Sequence, residues 1–218
     1  MTEIVIPKEW EGRKWSLVMV SGGLDSVAAL VWMLENTDDL IHVHHIRIQG
    51  SAENREVPEL AAFLQCHAYI AKHYRKIEKT THSTVTWPGP SVPYDMFSYM
   101  FQAAGIMDLR KGPFRFSRIV TGSIDESADP TRIAEIEERR ERAWNMFTSI
   151  HRPHPTLGQP EWFKPLVNMK KPEVAALLPD ELRNMTFSCR FPIYSEDGLS
   201  YEKCGKCRPC INRSSEDD

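Results

Sequence analysis

A glycine-containing hexapeptide near the beginning of the chain constrains the fold more than any other feature of the sequence. An apolar stretch at residues 15–20 predicts a buried strand before it, and good helix formers follow it to about residue 36. A strand that ends at two adjacent glycines and opens a helix directs backbone N–H groups toward an anion. We therefore predict a phosphate-binding loop at this point. Its residues are Ser21, Gly22, Gly23, Leu24, Asp25 and Ser26.

The residue types in this loop favour nucleotide chemistry different from that of an ordinary P-loop. Ser21 and Ser26 supply hydroxyl donors, while Asp25 can orient Mg²⁺ or cap the helix. The loop lacks the Gly-Lys-Ser/Thr ending whose lysine grips the β- and γ-phosphates. A plain glycine turn with a serine cap is the structural alternative.

Strands and helices are predicted to alternate beyond the loop. The hydrophobic pattern favours strands at residues 40–48, 68–72 and 118–121, and helices at residues 57–66 and 94–110. Such alternation implies βαβ crossovers, so we predict an α/β fold with a doubly wound parallel sheet. Three prolines at residues 80–93 predict an irregular loop over the ligand edge of the sheet. Dense mixed charge at residues 131–150 predicts a solvated helix, with a partner-binding face as the alternative.

Composition narrows the classes of partner. The 218 residues carry a formal net charge of -3, which gives no electrostatic reason to expect a long nucleic-acid backbone as the main partner. The N-terminus lacks the basic-then-apolar order of a signal peptide, and no apolar run approaches the roughly 18 residues of a membrane span. We therefore expect a cytoplasmic protein that acts on small molecules or on a protein partner, without membrane contact.

Four of the five cysteines are concentrated in the C-terminal part of the chain, in the pattern C-x14-C-x2-C-x2-C. Each C-x-x-C loop lets two thiolates reach one tetrahedral ion, and the distant cysteine closes the fourth position. Structural Zn²⁺ is the prediction, with an iron–sulfur cluster or redox cysteines as alternatives. The predicted ligands are Cys189, Cys204, Cys207 and Cys210, whereas Cys66 is predicted to be a buried hydrophobe. We place the α/β domain at residues 1–180 and the zinc element at residues 181–218.

The hexapeptide resembles the SGGxDS signature of the PP-loop ATP pyrophosphatases, and the whole ordered set of motifs resembles the 7-cyano-7-deazaguanine synthase family within them. The likeness extends from about residue 15 to about residue 213. Besides the loop and the cysteines, the matching segments are Val92-Pro93, Thr121-Gly122, residues 125–132, Pro165-Leu166, Lys171-Pro172-Glu173 and Thr186-Phe187-Ser188-Cys189.

The resemblance implies an AMP-forming carbon–nitrogen ligase that uses ATP, Mg²⁺ and Zn²⁺. Such enzymes adenylate the carboxylate of 7-carboxy-7-deazaguanine, and ammonia then gives an amide and finally a nitrile. The resemblance assigns catalytic roles to Asp25, Ser26, Lys171 and Asp125. In it Lys171 neutralises phosphate charge, Asp125 or Asp129 holds Mg²⁺, and His44 and His45 contact the adenine. Ordinary surface charges and solvent-facing strand histidines are the structural alternatives for these residues.

Two segments depart from the family pattern. Residues 47–51 replace its Gln-Arg-His, with Glu53 or Glu56 nearby, and Tyr94-Asp95-Met96 replaces its Gly-Arg-Asn. Because the ATP and cysteine motifs match the family and these two segments do not, the sequence predicts the adenylation step but not the final product. The alternatives are an antiviral-defence enzyme that conjugates a deazaguanine to a protein amine, a tRNA-modifying PP-loop enzyme and a catalytically idle zinc-stabilised binding module. The sequence leaves open whether the chain binds a protein partner and whether it forms a homodimer.

Overall fold

The computed structural model shows a parallel sheet with helices on both faces, and it describes residues 7–50, 53–87, 94–109, 115–125, 130–153 and 158–214. The strands are β1 (Trp15–Met19), β2 (Leu40–Gln49), β3 (Lys79–Thr86), β4 (Phe116–Val120), β5 (Glu161–Phe163) and a hairpin of β6 (Ile193–Tyr194) and β7 (Tyr201–Glu202). The helices are α1 (Leu24–Asn36), α2 (Glu56–His73), α3 (Asp95–Leu109), α4 (Pro130–Ile150), α5 (Lys171–Ala176), α6 (Asp180–Met185) and α7 (Arg208–Ser214).

The main sheet has the strand order β3-β2-β1-β4-β5, and each neighbouring pair is parallel. The chain therefore builds outward from β1 in both directions, and the order reverses between β1 and β4. In open α/β sheets, ligands bind at the carboxyl ends of the strands at such a reversal. The phosphate loop leaves β1 at this point. The predicted α/β class with a doubly wound parallel sheet is confirmed.

The period-2 alternation of β1 divides its side chains between two buried clusters. Val18 packs on one face with apolar residues of α1, α2 and α5, which form the first cluster. Leu17 and Met19 pack on the opposite face with Met100 of α3 and Phe147 of α4, which belong to the second cluster. Since β1 contributes to both clusters, it is buried along its whole length. The strand that leads into the phosphate loop is thus packed against helices on both faces of the sheet.

Helix α4 carries charge on one face and packs through the other. Ala143 and Phe147 are completely buried in the second cluster. Arg139 and Arg142 form ion pairs with Glu135 and Glu138 one turn earlier in the helix. The helix is therefore amphipathic rather than solvated all round.

Two sequence predictions in the middle of the chain are wrong. Residues 68–72 were predicted as a strand but belong to α2, where the buried Ile70 continues the helical spacing of Phe63 and Cys66. The next strand is β3, which occupies the first half of the predicted irregular loop at residues 80–93. Residues 88–93 lie outside the described residues. The short strand β5 was not predicted.

The predicted domain boundary falls at the start of α6, whose Leu182 packs in the first cluster with α1 and α2. The boundary itself stays a prediction. No helix in the described ranges combines the length and the apolar character needed to cross a bilayer.

Candidate functional site

The predicted phosphate loop forms a tight turn held by its own serine side chains. Ser26 Oγ accepts a hydrogen bond from Ser21 N–H at 3.1 Å and lies 3.0 Å from the Gly23 carbonyl oxygen. Ser21 Oγ accepts from Gly23 N–H at 3.2 Å. Gly22 has φ of +90°, and a Cβ there would lie 2.6 Å from the Glu59 carbonyl oxygen. Only glycine fits at this position.

A second glycine brings the end of β4 against the loop. A Cβ on Gly122 would lie 2.5 Å from the carbonyl carbon of Asp25 and 2.6 Å from the amide nitrogen of Ser26. The residues around Gly122 can therefore reach the N-terminal end of α1. Thr121, Gly122 and Ser123 line the same cleft as the loop.

Lys171 approaches Asp25 from the first turn of α5. The Glu173 carboxylate accepts a hydrogen bond from Lys170 N–H at 2.7 Å, which fixes the beginning of this helix. Lys171 Nζ then lies 2.5 Å from Asp25 Oδ1. Asp125 is positioned beside them because its N–H donates to the Met169 carbonyl oxygen at 2.9 Å.

The cleft has a volume of about 1170 Å³. It contains all four residues predicted to be catalytic, which are Asp25, Ser26, Lys171 and Asp125. Their proximity is a geometric finding, and their roles stay predictions. Asp129, the alternative to Asp125, lies outside the described residues.

An ionic cluster that the sequence did not predict closes one side of the cleft. Arg55, which is 5% exposed, contacts Glu53, Glu59 and Asp95 at 2.5 to 2.6 Å. Arg190 Nη1 joins Glu53 and Asp95 at 3.2 and 3.1 Å. Burial raises the pKa of Glu59 to about 7, against the opposing effect of Arg55.

The five members of this cluster differ in how visible they are in the sequence. Glu53 and Asp95 fall in the segments that depart from the family pattern. Arg55 and Glu59 have the i,i+4 spacing of a helical ion pair, which is a usable signal. Arg190 follows a cysteine. No local sequence pattern predicts its ion pairs, because its partners are 137 and 95 residues away.

His44 and His45 are buried, so the solvent-facing alternative is wrong. His44 contacts Thr81 and Ser83 on β3 at 2.8 and 3.0 Å. His45 Nδ1 lies 2.9 Å from the Val20 carbonyl oxygen, and its ring stacks on Phe63. Burial lowers the pKa of both rings to about 4. Neither residue is among those that line the cleft, and their role in holding adenine stays a prediction.

The four predicted metal ligands converge. Their Sγ atoms all lie within 4.8 Å of one another, and three of the pairs are 3.4 to 4.0 Å apart. A tetrahedral ion with Zn–S bonds of about 2.3 Å separates its sulfurs by roughly 3.8 Å. An iron–sulfur cubane would attach each thiolate to a different iron and spread them further. The spacing therefore fits a single tetrahedral ion.

Backbone N–H groups surround the sulfurs. Cys204 Sγ accepts from the N–H groups of Lys206 and Cys207 at 3.5 and 3.3 Å. These contacts lower the pKa of Cys204 to about 6, which favours the thiolate that a metal requires. Burial instead raises the pKa of Cys66 to about 12, as expected for an inert thiol in the core.

Comparison with known proteins finds similarity to solved structures only. No family model matches the sequence, and no curated protein matches it. Among solved structures, the chain is similar to the U34-tRNA thiolase NcsA from Methanococcus maripaludis, described with its 4Fe–4S cluster. The TM-score is 0.47 and the identity 15%, over 94% of this chain and 64% of that one. The chain thus spans less than two thirds of the length of that thiolase. We therefore infer function from the motifs and the cleft.

Proposed function

We propose that this protein is an ATP-dependent enzyme of the PP-loop type that adenylates the carboxylate of 7-carboxy-7-deazaguanine. Ammonia then attacks, first giving the amide and, after a second adenylation, the nitrile 7-cyano-7-deazaguanine. The observation that carries this proposal is the contact of Lys171 with Asp25 at the phosphate loop. It brings a cation to the place where pyrophosphate charge would develop. The ordered motifs of the sequence support the choice of acid.

The first half of the reaction follows from the parts of the cleft. A carboxylate oxygen attacks the α-phosphorus of ATP, the α–β phosphoanhydride bond breaks, and pyrophosphate leaves. The N–H groups at the start of α1 and the Lys171 ammonium stabilise the charge on pyrophosphate. Ammonia then attacks the acyl carbon, AMP leaves with the bonding electrons, and a proton is released to give the amide.

The second half repeats this activation on the amide. The amide oxygen attacks a second ATP and releases pyrophosphate. Loss of AMP and a proton from the resulting imidate gives the nitrile. Since both halves need the same phosphate contacts, one cleft of about 1170 Å³ can serve both.

Two metals belong to this proposal. Asp25 and Asp125 supply carboxylate oxygens, the ligands that Mg²⁺ prefers, and this ion would neutralise phosphate charge. Zn²⁺ would bind Cys189, Cys204, Cys207 and Cys210 and stabilise the C-terminal element.

The test is incubation with ATP and 7-carboxy-7-deazaguanine, with and without ammonium, followed by mass analysis of the nucleotides, the base and the protein. AMP and pyrophosphate should form only when the acid is present, and the amide and nitrile only when ammonium is also added. The same base without its carboxylate is the control. Release of ADP and phosphate would refute the proposal.

A second candidate keeps adenylation but replaces ammonia with a protein amine. The ionic cluster favours it, because the partly exposed carboxylates of Glu53 and Asp95 line the cleft and can bind a protonated amine. In the same incubation, a mass increase of a partner protein with no free nitrile would support this candidate.

A further inference from the structure

Residues 187–190, here called the connecting segment, join the cysteine cluster to the phosphate loop. Phe187 N–H donates to the Gly22 carbonyl oxygen at 3.0 Å. Ser188 Oγ accepts from Leu24 N–H at 3.3 Å. The next residue is Cys189, which is 2% exposed and belongs to the four-cysteine group. Two consecutive residues therefore hold the loop, and the third is a metal ligand.

Ser188 lies where the loop becomes α1. Leu24 is the first residue of this helix, so its N–H has no partner within the helix and donates to Ser188 Oγ instead. Ser188 Oγ is also 3.2 Å from the place a Cβ on Gly23 would occupy, and it lines the cleft. Because a hydroxyl both accepts and donates, Ser188 can hold Leu24 N–H and donate to a phosphate oxygen.

The C-terminal end of the connecting segment contacts a cysteine sulfur. Arg190 N–H donates to Cys207 Sγ at 3.4 Å, and Cys207 Sγ lies 3.9 Å from Cys189 Sγ. Four thiolates at this spacing repel one another unless a cation neutralises them. A bound ion therefore fixes Cys189, and through it the position of Ser188 one residue earlier.

We propose that Ser188 is a phosphate-binding residue whose position is set by the occupied cysteine site, so that metal loading raises the affinity of the loop for ATP. This rests on the proposed function, in which the loop binds the phosphates of ATP. Linkage then requires the reverse effect as well, so bound nucleotide raises the affinity of the cysteine site for the metal.

The experiment measures binding of the non-hydrolysable analogue α,β-methylene-ATP by calorimetry in buffer that retains Mg²⁺. Wild type and Ser188→Ala are each titrated with zinc bound and after a zinc-selective chelator. Ser200→Ala is the matched control, because the hydrogen bonds described for Ser200 in the same C-terminal element use its backbone atoms. Zinc content and circular dichroism are recorded for every sample.

Zinc-loaded Ser188→Ala should keep its zinc and bind the analogue roughly tenfold more weakly than wild type, because it loses a hydrogen bond to a charged group. Ser200→Ala should bind like wild type. Removing zinc should weaken wild type by roughly tenfold and Ser188→Ala much less, which is the signature of coupling through Ser188.

The reciprocal measurement covers the case in which the stripped protein unfolds. In competition with a zinc chelator, the analogue should raise the zinc affinity of wild type but not that of Ser188→Ala. This inference alone would be overturned if Ser188→Ala and wild type bound the analogue equally well, or if neither ligand changed the affinity of wild type for the other. Failure of zinc-loaded wild type to bind the analogue would overturn the proposed function with it.

Discussion

Lys171 Nζ lies 2.5 Å from Asp25 Oδ1, although the two residues are 146 positions apart in the chain. The contact joins the first turn of α5 to the first turn of α1. Both side chains remain partly exposed, at 23% and 33%. Lys171 is therefore held beside the phosphate loop while its ammonium can still reach a ligand in the cleft.

Replacing Lys171 with Met should lower the rate of pyrophosphate release by roughly 100- to 1000-fold, because a charge that stabilises the transition state is lost. Stability should change little, since a partly exposed ion pair contributes about 1 kcal/mol or less. A pyrophosphate-release assay and thermal melting measure the two effects. Lys72→Met, at an exposed position of α2, is the control. A wild-type rate in Lys171→Met would remove this residue from the mechanism.

Gly122→Ala should destabilise the fold at the cleft, because the new Cβ would overlap the Asp25 backbone at 2.5 Å. Overpacking of this kind costs about 1 to 3 kcal/mol. Gly105→Ala is the matched control, since nothing lies within 4 Å of its Cβ position in α3. That variant should be stabilised by roughly 0.5 to 1 kcal/mol. Urea unfolding compares them, and equal midpoints would contradict the close approach.

Arg55→Met should destabilise the protein by about 3 to 5 kcal/mol, because it leaves the carboxylates of Glu53, Glu59 and Asp95 without their shared partner. Arg142→Met is the comparison, since its pair with Glu138 is 3.7 Å long and both side chains are 66% exposed. Its effect should stay below about 0.5 kcal/mol. Denaturant unfolding gives both values. A mild effect at Arg55 would show that the cluster relaxes without it.

Cys207→Ala should lose the bound zinc and lower the melting temperature before any catalytic defect can be assigned, because metal binding and folding of the C-terminal element are linked. Cys66→Ala should retain the metal, since Cys66 lies in the apolar core away from the cluster. Elemental analysis of zinc per chain and thermal melting test the pair. Full zinc retention in Cys207→Ala would exclude it as a ligand.

The contribution of His44 and His45 to stability should fall as the pH drops from about 6.5 toward 4. Burial lowers the pKa of His44 and of His45 to about 4, whereas both titrate near 6.5 in the unfolded chain. Between these values the unfolded chain binds more protons, so acid favours unfolding and the full stabilisation is present only above about pH 6.5.

The histidine effect is isolated by comparing slopes. Urea unfolding between about pH 7.5 and about pH 4.5 should give a shallower pH dependence for His45→Gln than for wild type. His73→Gln, at an exposed position of α2, should keep the wild-type slope. Parallel curves for all three proteins would mean that His45 does not become protonated on unfolding.

The sequence predicts the centre of this fold better than its edge. β1, the loop and α1 combine an apolar run, two glycines and good helix formers, so local chemistry and tertiary position agree. β3 misled the prediction because it is an edge strand of threonines and other polar residues, with no alternation of buried apolar side chains. The preceding segment was mistaken for a strand although its Ala and Lys residues continue a helix.

The candidate site likewise contains some residues that the sequence predicts and others that it does not. The loop is one contiguous motif and the cysteines lie near one another in the sequence, so residue type and spacing identify them. Ser188 and Arg190 flank a predicted ligand, but their partners lie 164 and 137 residues away. Such distant contacts leave no periodic trace in one sequence, and only the folded chain reveals them.

The 164 positions between Leu24 and Ser188 also have a consequence for biosynthesis. Synthesis reaches Ser188 and its neighbour Cys189 only 164 and 165 residues after Leu24. At about 5 to 20 residues per second, a growing chain spends roughly ten to thirty seconds with its loop incomplete. The contact between Ser188 and the loop thus forms only after residue 188 has been made, and a product that terminates before this residue cannot form it.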